Sequence, residues 1–170
     1  AKMAARKASR TIEVASEFTE AETRTHLIDA NLAEAGWHTL RRGRELEFEV
    51  SGMPESRNSK QGRGFVDYVL WGDDGVPLAL MEAKRTKADA EKGRHQAWLY
   101  ANALEQMYGR RPIIFYTNGY DIYLLDDAFY SAPRRISGFL SKDTLQWRVQ
   151  QRRLRQDIRR VSPKAEIAGR

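Results

Sequence analysis

The order of elements in the sequence predicts an α/β fold with a mixed central sheet flanked by helices. Three observations predict it. A helical segment with a capping signal precedes a strand of regular alternation. Two apolar runs joined by Gly72-Asp73-Asp74-Gly75 read as a hairpin. A long amphipathic helix then separates that hairpin from a second pair of strands around Asn118-Gly119.

The 170 residues suffice for one domain with a real core and are too few for two comfortable ones. A net charge of +6 favours an anionic partner, nucleic acid first. The absence of cysteine excludes disulfides, thiolate zinc sites and a cysteine nucleophile. No leader pattern and no long apolar run points to export or to a membrane. No Gly-x-x-x-x-Gly-Lys-Ser/Thr loop is present, so ATP hydrolysis by that route is not expected of this chain.

Taken in order, residues 1–15 are basic and weakly apolar and are expected to be a loose, flexible segment, with Ala1-Lys2 ahead of Met3 reading as an appended remnant. Residues 16–140 are expected to form the main domain, and 141–170 a basic helix followed by a linker cut short. Thr19 and Glu22 have capping-box spacing. Ile28, Leu32 and Ala35 mark the inward face of the first helix, Gly36 its stop and Trp37 the contact that follows. Trp37 to Val50 reads as one or two strands, with Leu46, Phe48 and Val50 alternating against Glu47 and Glu49. Residues 51–64 form a loop by composition, and its Arg57, Lys60 and Arg63 are candidate phosphate contacts, with a solvated loop as the default.

Phe65 to Trp71 is an apolar strand interrupted by Asp67, and Val76 to Lys84 is its antiparallel partner. The helix from about Ala88 to Tyr108 stops at Gly109 and presents Gln96, Tyr100, Ala103 and Met107 inward. Pro112 to Thr117 is a buried strand, Asn118-Gly119 a two-residue turn, and Tyr120 to Leu125 the return. Residues 129–140 carry no clear signal. Ser141 caps a final helix whose apolar stripe is Trp147, Leu154, Ile158 and Val161. Arg148, Arg152, Arg153, Arg155, Arg159 and Arg160 make it strongly basic, suited equally to DNA phosphates or to packing on a neighbouring domain.

The chemistry concentrates in three places. Glu82 and Lys84 end an apolar strand on one face, roughly 7 Å apart along it. By themselves they also fit an ordinary ion pair on a strand that has emerged into solvent. Asp67 interrupts the partner strand, and Gln96 and Tyr100 stand one helical turn apart on the next helix, so the amide and the hydroxyl point at one spot. An acid and a lysine at the end of a buried strand are costly to desolvate without a partner, and a phosphate with its metal ion is such a partner. Asp67, Glu82 and the Ala83 carbonyl are hard oxygen ligands of the kind Mg²⁺ takes. Lys84 fits as the cation that stabilises phosphate charge and helps deprotonate a water.

Val66-Asp67, Glu82-Ala83-Lys84 and Gln96-x-x-x-Tyr100 together resemble the PD-(D/E)xK nuclease motif set with its Gln-x-x-x-Tyr extension. The wider context resembles the N-terminal nuclease domain of the R subunit of type I restriction enzymes. It adds Glu22-Thr23-Arg24, Leu27-Ile28-Asp29, Ala35-Gly36-Trp37, Leu80-Met81 and Tyr116-Thr117-Asn118-Gly119-Tyr120, and covers roughly residues 16 to 130. The resemblance implies a restriction-endonuclease-like sheet and a cytoplasmic, prokaryotic, Mg²⁺-dependent endonuclease acting on double-stranded DNA, with Mn²⁺ as a substitute. It implies that ATP acts only through motor domains elsewhere in the R subunit, and that modification and specificity subunits are partners. Asp67, Glu82, Lys84, Gln96 and Tyr100 are then the catalytic set, Asp67, Glu82 and the Ala83 carbonyl the metal ligands with Glu22 as a further candidate, and Arg24, Arg57, Lys60, Arg63 and Arg85 the DNA contacts. The sequence departs from the motif at Val66, where Pro is the named residue; the side chain there is expected to point away from the site.

Two other readings stand beside this one: a non-catalytic DNA- or subunit-binding module on the same fold, and a stand-alone resolvase or repair nuclease. Several residues have plainer explanations. Glu22 belongs to a capping box, and Arg24 suits a helix surface. His26, His38 and His95 lack metal-ligand spacing. Asp73 and Asp74 are turn acids, and Asp126 and Asp127 suit a solvated strand end.

Overall fold

The computed structural model describes residues 20–55, 60–84 and 90–160. The segment 1–15, the Thr19 cap, Arg57, Arg85, Val161 and the linker after it lie outside the described residues.

Helix α1 (Glu20–Glu34) carries Ile28 and Leu32 on its buried face, as the spacing predicts. Gly36, at φ 92°, closes it in a left-handed turn: its N–H donates to the Ala33 carbonyl at 3.0 Å and that of Trp37 to Leu32 at 2.9 Å. Trp37 is buried and donates its indole N–H to the Leu140 carbonyl at 2.9 Å. Only one strand follows, β1 (Leu46–Ser51). Residues just before it are held in a turn, in which the Arg41 carbonyl accepts from Arg44, Glu45 and Leu46.

Strands β2 (Arg63–Trp71) and β3 (Pro77–Ala83) form the expected hairpin. Helix α2 (Ala90–Tyr108) crosses over to β4 (Ile113–Thr117), which lies parallel to β3. Strands β5 (Ile122–Leu125) and β6 (Arg134–Ile136) complete a six-stranded sheet in the order β1-β2-β3-β4-β5-β6, every other pair antiparallel. Helix α3 (Lys142–Arg160) ends the described chain. The sheet is therefore mixed, in line with the predicted α/β class.

Apolar side chains fill both faces of the sheet. On one face Ile28 and Leu32 of α1 and Leu145 and Val149 of α3 share a core with Tyr68, Met81 and Phe115. On the other, Ala97, Tyr100 and Leu104 of α2 pack with Val69, Leu80 and Ile114. Strands β3 and β4 are covered on both sides, which is why their sequences run apolar without alternation. Leu46 packs in the first layer, whereas Phe48 and Val50 belong to the second. Glu47, at φ 49°, stands between them and breaks the alternation that would keep all three on one face.

Four expectations are corrected. Met107 is 41% exposed, and it is the neighbouring Tyr108 of the last turn of α2 that packs on Phe48 and Trp71. Trp147 and Leu154 of the supposed α3 stripe are 56% and 55% exposed, and the helix instead buries Leu145, Val149 and Arg152. Asp126 is no solvated strand end: it is 1% exposed and accepts two bonds on Oδ1 from Arg152, at 3.0 Å from Nε and 2.5 Å from Nη2. Arg152 thus serves the core, since an unpartnered carboxylate there would be costly. The β4–β5 turn is centred on Gly119 and Tyr120. Asn118 flanks it and accepts the N–H groups of Tyr120 (3.0 Å) and Asp121 (2.7 Å), so β5 starts at Ile122.

Candidate active site

Strands β2 and β3 pair from Trp71↔Pro77 to Tyr68↔Met81, and there their ladder stops. At the next position the Ala83 N–H is taken by the Asp67 carboxylate, Oδ2 at 2.7 Å, in place of a strand carbonyl. The other edge of β3 stays paired with β4 through Ala83↔Thr117, and the Lys84 N–H donates to the Thr117 carbonyl at 2.8 Å. The sheet therefore opens between β2 and β3 at the level of Asp67 and Glu82, while β4 holds the end of β3 in place.

Glu82 is 2% exposed. Its Oε1 accepts from Lys84 Nζ at 2.8 Å, and its Oε2 is buried without a hydrogen-bond partner. Lys84 Nζ also donates to Gln96 Oε1 at 2.8 Å, and Gln96 Nε2 donates to the Tyr100 hydroxyl at 2.9 Å. Glu82, Lys84, Gln96 and Tyr100 thus form one hydrogen-bonded chain from the strand end into α2. A solvated surface pair is excluded by the burial of Glu82. Burial, and after it the negative charge of Asp67, pushes the Glu82 carboxyl up to about 8, with Lys84 opposing the shift. Burial also raises the Tyr100 hydroxyl, against the hydrogen bond from Gln96.

Asp67 opens on the α1 side into a cleft of about 350 Å³ lined also by Ala83, Tyr68, Asp29, Arg42 and Glu47. The Tyr68 hydroxyl donates to Asp29 Oδ1 at 3.0 Å. Glu22 is exposed on α1, and among the described residues no group of three His, Cys, Asp or Glu side chains is placed to hold a metal ion. Asp67 lies near enough to Glu82 for its charge to act on the Glu82 carboxyl. Of the expected DNA contacts, Lys60 and Arg63 are exposed, and Arg63 lies 3.4 Å from Glu49. Arg24 falls within α1. Val66 is buried in the same apolar layer as Ala97 and Tyr100.

Two glycines complete the site, and both escape motif reading because their contribution is a missing side chain. A Cβ on Gly93 would lie 2.7 Å from Lys84 Cγ, and one on Gly64 would lie 2.7 Å from Tyr100 Cε1. The stem of Lys84 therefore lies directly against the α2 backbone, and the Tyr100 ring against β2. Gly93 stands one turn before Gln96, and a glycine inside a helix calls for a packing reason of this kind.

Residues 47–128 match the family model described as the N terminus of the type I restriction enzyme R protein. Residues matching the EcoAI endonuclease subunit of a type I restriction enzyme from Escherichia coli are 33% identical over 116 positions, 66% of this chain and 14% of that protein. The chain is similar to this family of R-protein N-terminal regions. The EcoKI endonuclease subunit from Escherichia coli strain K12 is 30% identical over 108 residues, 57% of this chain and 9% of the relative. A fragment structure described as an HsdR subunit of a type I restriction enzyme from Vibrio vulnificus YJ016 superposes with a TM-score of 0.56 at 26% identity, over 79% of this chain and 26% of that one. The chain thus spans a small part of each R protein it matches. The family match encloses Asp67, Glu82, Lys84, Gln96 and Tyr100 together with Gly64 and Gly93.

Proposed function

We propose that this R-protein N-terminal region is a Mg²⁺-dependent endonuclease domain that hydrolyses phosphodiester bonds of double-stranded DNA. The observation that carries the reading is the Glu82 carboxyl, buried beside Asp67 with Oε2 unpartnered, where β2 and β3 part. A buried carboxyl oxygen without a donor is unusual, and a cation would satisfy it. Asp67, Glu82 and the Ala83 carbonyl form an all-oxygen donor set, which fits a Mg²⁺ ion bound through one or two carboxylates; Mn²⁺ would substitute.

When bound, Mg²⁺ supplies Lewis-acid polarisation of the phosphate. The chain's own residues supply the rest. Lys84 holds positive charge next to the scissile phosphate, and in that place it stabilises charge that grows during attack and lowers the cost of deprotonating a water. Gln96 fixes the Lys84 ammonium, and Tyr100 in turn fixes the Gln96 amide, so the cation is preorganised. Double-stranded DNA is the substrate in this reading, the rest of the R subunit supplies ATP-driven motion, and modification and specificity subunits choose the site. Supercoiled plasmid incubated with this chain is expected to be nicked in Mn²⁺ and more weakly in Mg²⁺, and to stay intact in EDTA. Nicking that persists in EDTA would remove the metal-dependent reading.

One observation favours a non-catalytic binding module instead: Glu82 is closed off from solvent and tied to Lys84. Mn²⁺ binding without any nicking would support that alternative.

Gly93→Ala separates positioning from folding. Alanine raises helix propensity by about 1 kcal/mol, yet its Cβ would displace the Lys84 stem. Nicking is expected to fall by about tenfold or more, since misplacement by roughly 1 Å costs up to about a hundredfold, while the melting temperature drops little. Wild-type nicking in this variant would show that Lys84 needs no such support.

A further inference from the structure

Two aromatic side chains stand uncovered on either side of the place where β2 and β3 part. Phe65 is 56% exposed and Tyr120 is 74% exposed, more than any other large apolar side chain among the described residues. Strand register places both. Tyr68 pairs with Met81, and the same count carried on brings Phe65 level with Lys84. Gly64 and Val66, on either side of Phe65, face α2, so Phe65 stands on the opposite face, two residues before Asp67. On the other flank Thr117 pairs with Ala83 and takes the Lys84 N–H, and Tyr120 follows three residues later in the β4–β5 turn. That turn is braced. Thr117 Oγ1 accepts the Gly119 N–H at 3.0 Å and donates to the Asp121 carbonyl at 2.8 Å, and Asn118 Oδ1 accepts the Tyr120 N–H at 3.0 Å. Two to three strand spacings, roughly 10–14 Å, separate Phe65 from the turn. Neither ring stacks on another or carries a cation among the described residues.

We propose that Phe65 and Tyr120 seat the backbone of duplex DNA on either side of the scissile phosphate, so that the cut strand runs across the sheet end from β2 to the β4–β5 turn. The proposal rests on the cleavage reading of that strand end. A single exposed aromatic is ordinary. Two that flank the opened end of the sheet at the level of Lys84 are placed for something that lies across it. A strand with one phosphate per roughly 3.4 Å of axis passes about three or four of them in that span. The Tyr120 hydroxyl can donate to a phosphate oxygen, the kind of contact that fixes register on a duplex. The Phe65 ring has no polar atom and suits the apolar edge of a deoxyribose. Lys60 is exposed on the turn that leads into β2 and forms no ion pair among the described residues, so it adds positive charge at the same end. Because the β4–β5 turn is already fixed, binding has only the Tyr120 side chain to order.

The test measures binding and cleavage separately, on the whole chain. A labelled linear duplex is titrated in EDTA by fluorescence anisotropy, and plasmid nicking is followed in Mn²⁺. Tyr120→Phe and Tyr120→Ala are each expected to weaken duplex binding by about tenfold, the loss of one hydrogen bond to a charged group. Each should raise KM by the same factor and leave kcat unchanged. Phe65→Ala should weaken binding severalfold, and Phe65→Leu should keep most of the affinity. The effects of Tyr120→Phe and Phe65→Ala should multiply, since the two sites do not touch. Melting temperatures should stay at the wild-type value, because both side chains are mostly exposed. Nitration with tetranitromethane needs no variant. Duplex should protect Tyr120 and leave Tyr130, 42% exposed beyond the far end of β5, reactive. No duplex binding by the wild type, wild-type affinity in both alanine variants, or nitration of Tyr120 unchanged by duplex would each overturn the proposal. Variants that nick with the wild-type KM would overturn it and leave the cleavage reading standing. A wild type that binds duplex through Tyr120 and never nicks would support the duplex contact and remove the cleavage reading.

Discussion

Lys84→Ala is expected to lower plasmid nicking in Mn²⁺ by at least about a hundredfold, the loss seen when a preorganised donor to a developing charge is removed. The side chain has one arrangement in the structure. Its stem lies on Gly93, and its ammonium is shared at 2.8 Å each between Glu82 Oε1 and Gln96 Oε1. No other cation reaches Glu82 through a hydrogen bond among the described residues, so nothing nearby takes over. Lys84→Arg should rescue poorly, because a planar guanidinium needs more room than the Gly93 contact leaves. Gln96→Ala should have the same direction and a smaller size, since it loosens the ammonium without removing it. Glu82→Ala should be as severe as Lys84→Ala. Nicking that survives both substitutions would place the activity elsewhere or assign it to a contaminant, and the assignment of the site would be wrong.

The second large effect is on stability and does not depend on cleavage. Burial and the charge of Asp67 push the Glu82 carboxyl up to about 8, against an ordinary value of 4.5. Between those values the folded state holds a proton that the unfolded state has lost. Stability attributable to this residue therefore falls as pH rises through that window, and below it the residue is protonated in both states. Glu82→Gln keeps the shape and cannot ionise. Its stability relative to the wild type is expected to rise by at least about 2 kcal/mol from about pH 5 to about pH 9, the full shift corresponding to roughly 4–5 kcal/mol. Urea denaturation across that range measures it. Mg²⁺ favours the ionised carboxylate, so it should restore wild-type stability at the alkaline end and leave Glu82→Gln unchanged. Parallel pH profiles for the two proteins would show that Glu82 does not carry the proton.

The same residue shows why some features were legible in the sequence. Glu82 and Lys84 share a face because strands repeat every two residues, and Gln96 meets Tyr100 because helices bring i and i+4 together. Capping and stop signals are equally local, and Gly36 closes α1 where its position implied. Local periodicity therefore determined the element order, most of the buried positions and the set of residues that converge at the strand end. Partnerships across the chain lay beyond it. Asp126 is buried because Arg152, twenty-six positions later, swings onto it from α3. Trp147 and Leu154 form a stripe by spacing, yet the sheet presents its surface to Leu145 and Val149. The turn at Asn118-Gly119 shifted by one residue because the Asn118 side chain, rather than its backbone, holds the following N–H groups. Gly93 and Gly64 matter only for what stands opposite them. By itself the sequence determined which residues can serve the chemistry. The tertiary structure alone decided that Glu82 is desolvated beside Asp67, and hence that its carboxyl is pushed upward, because burial and charge are set by whatever the rest of the chain packs around a group.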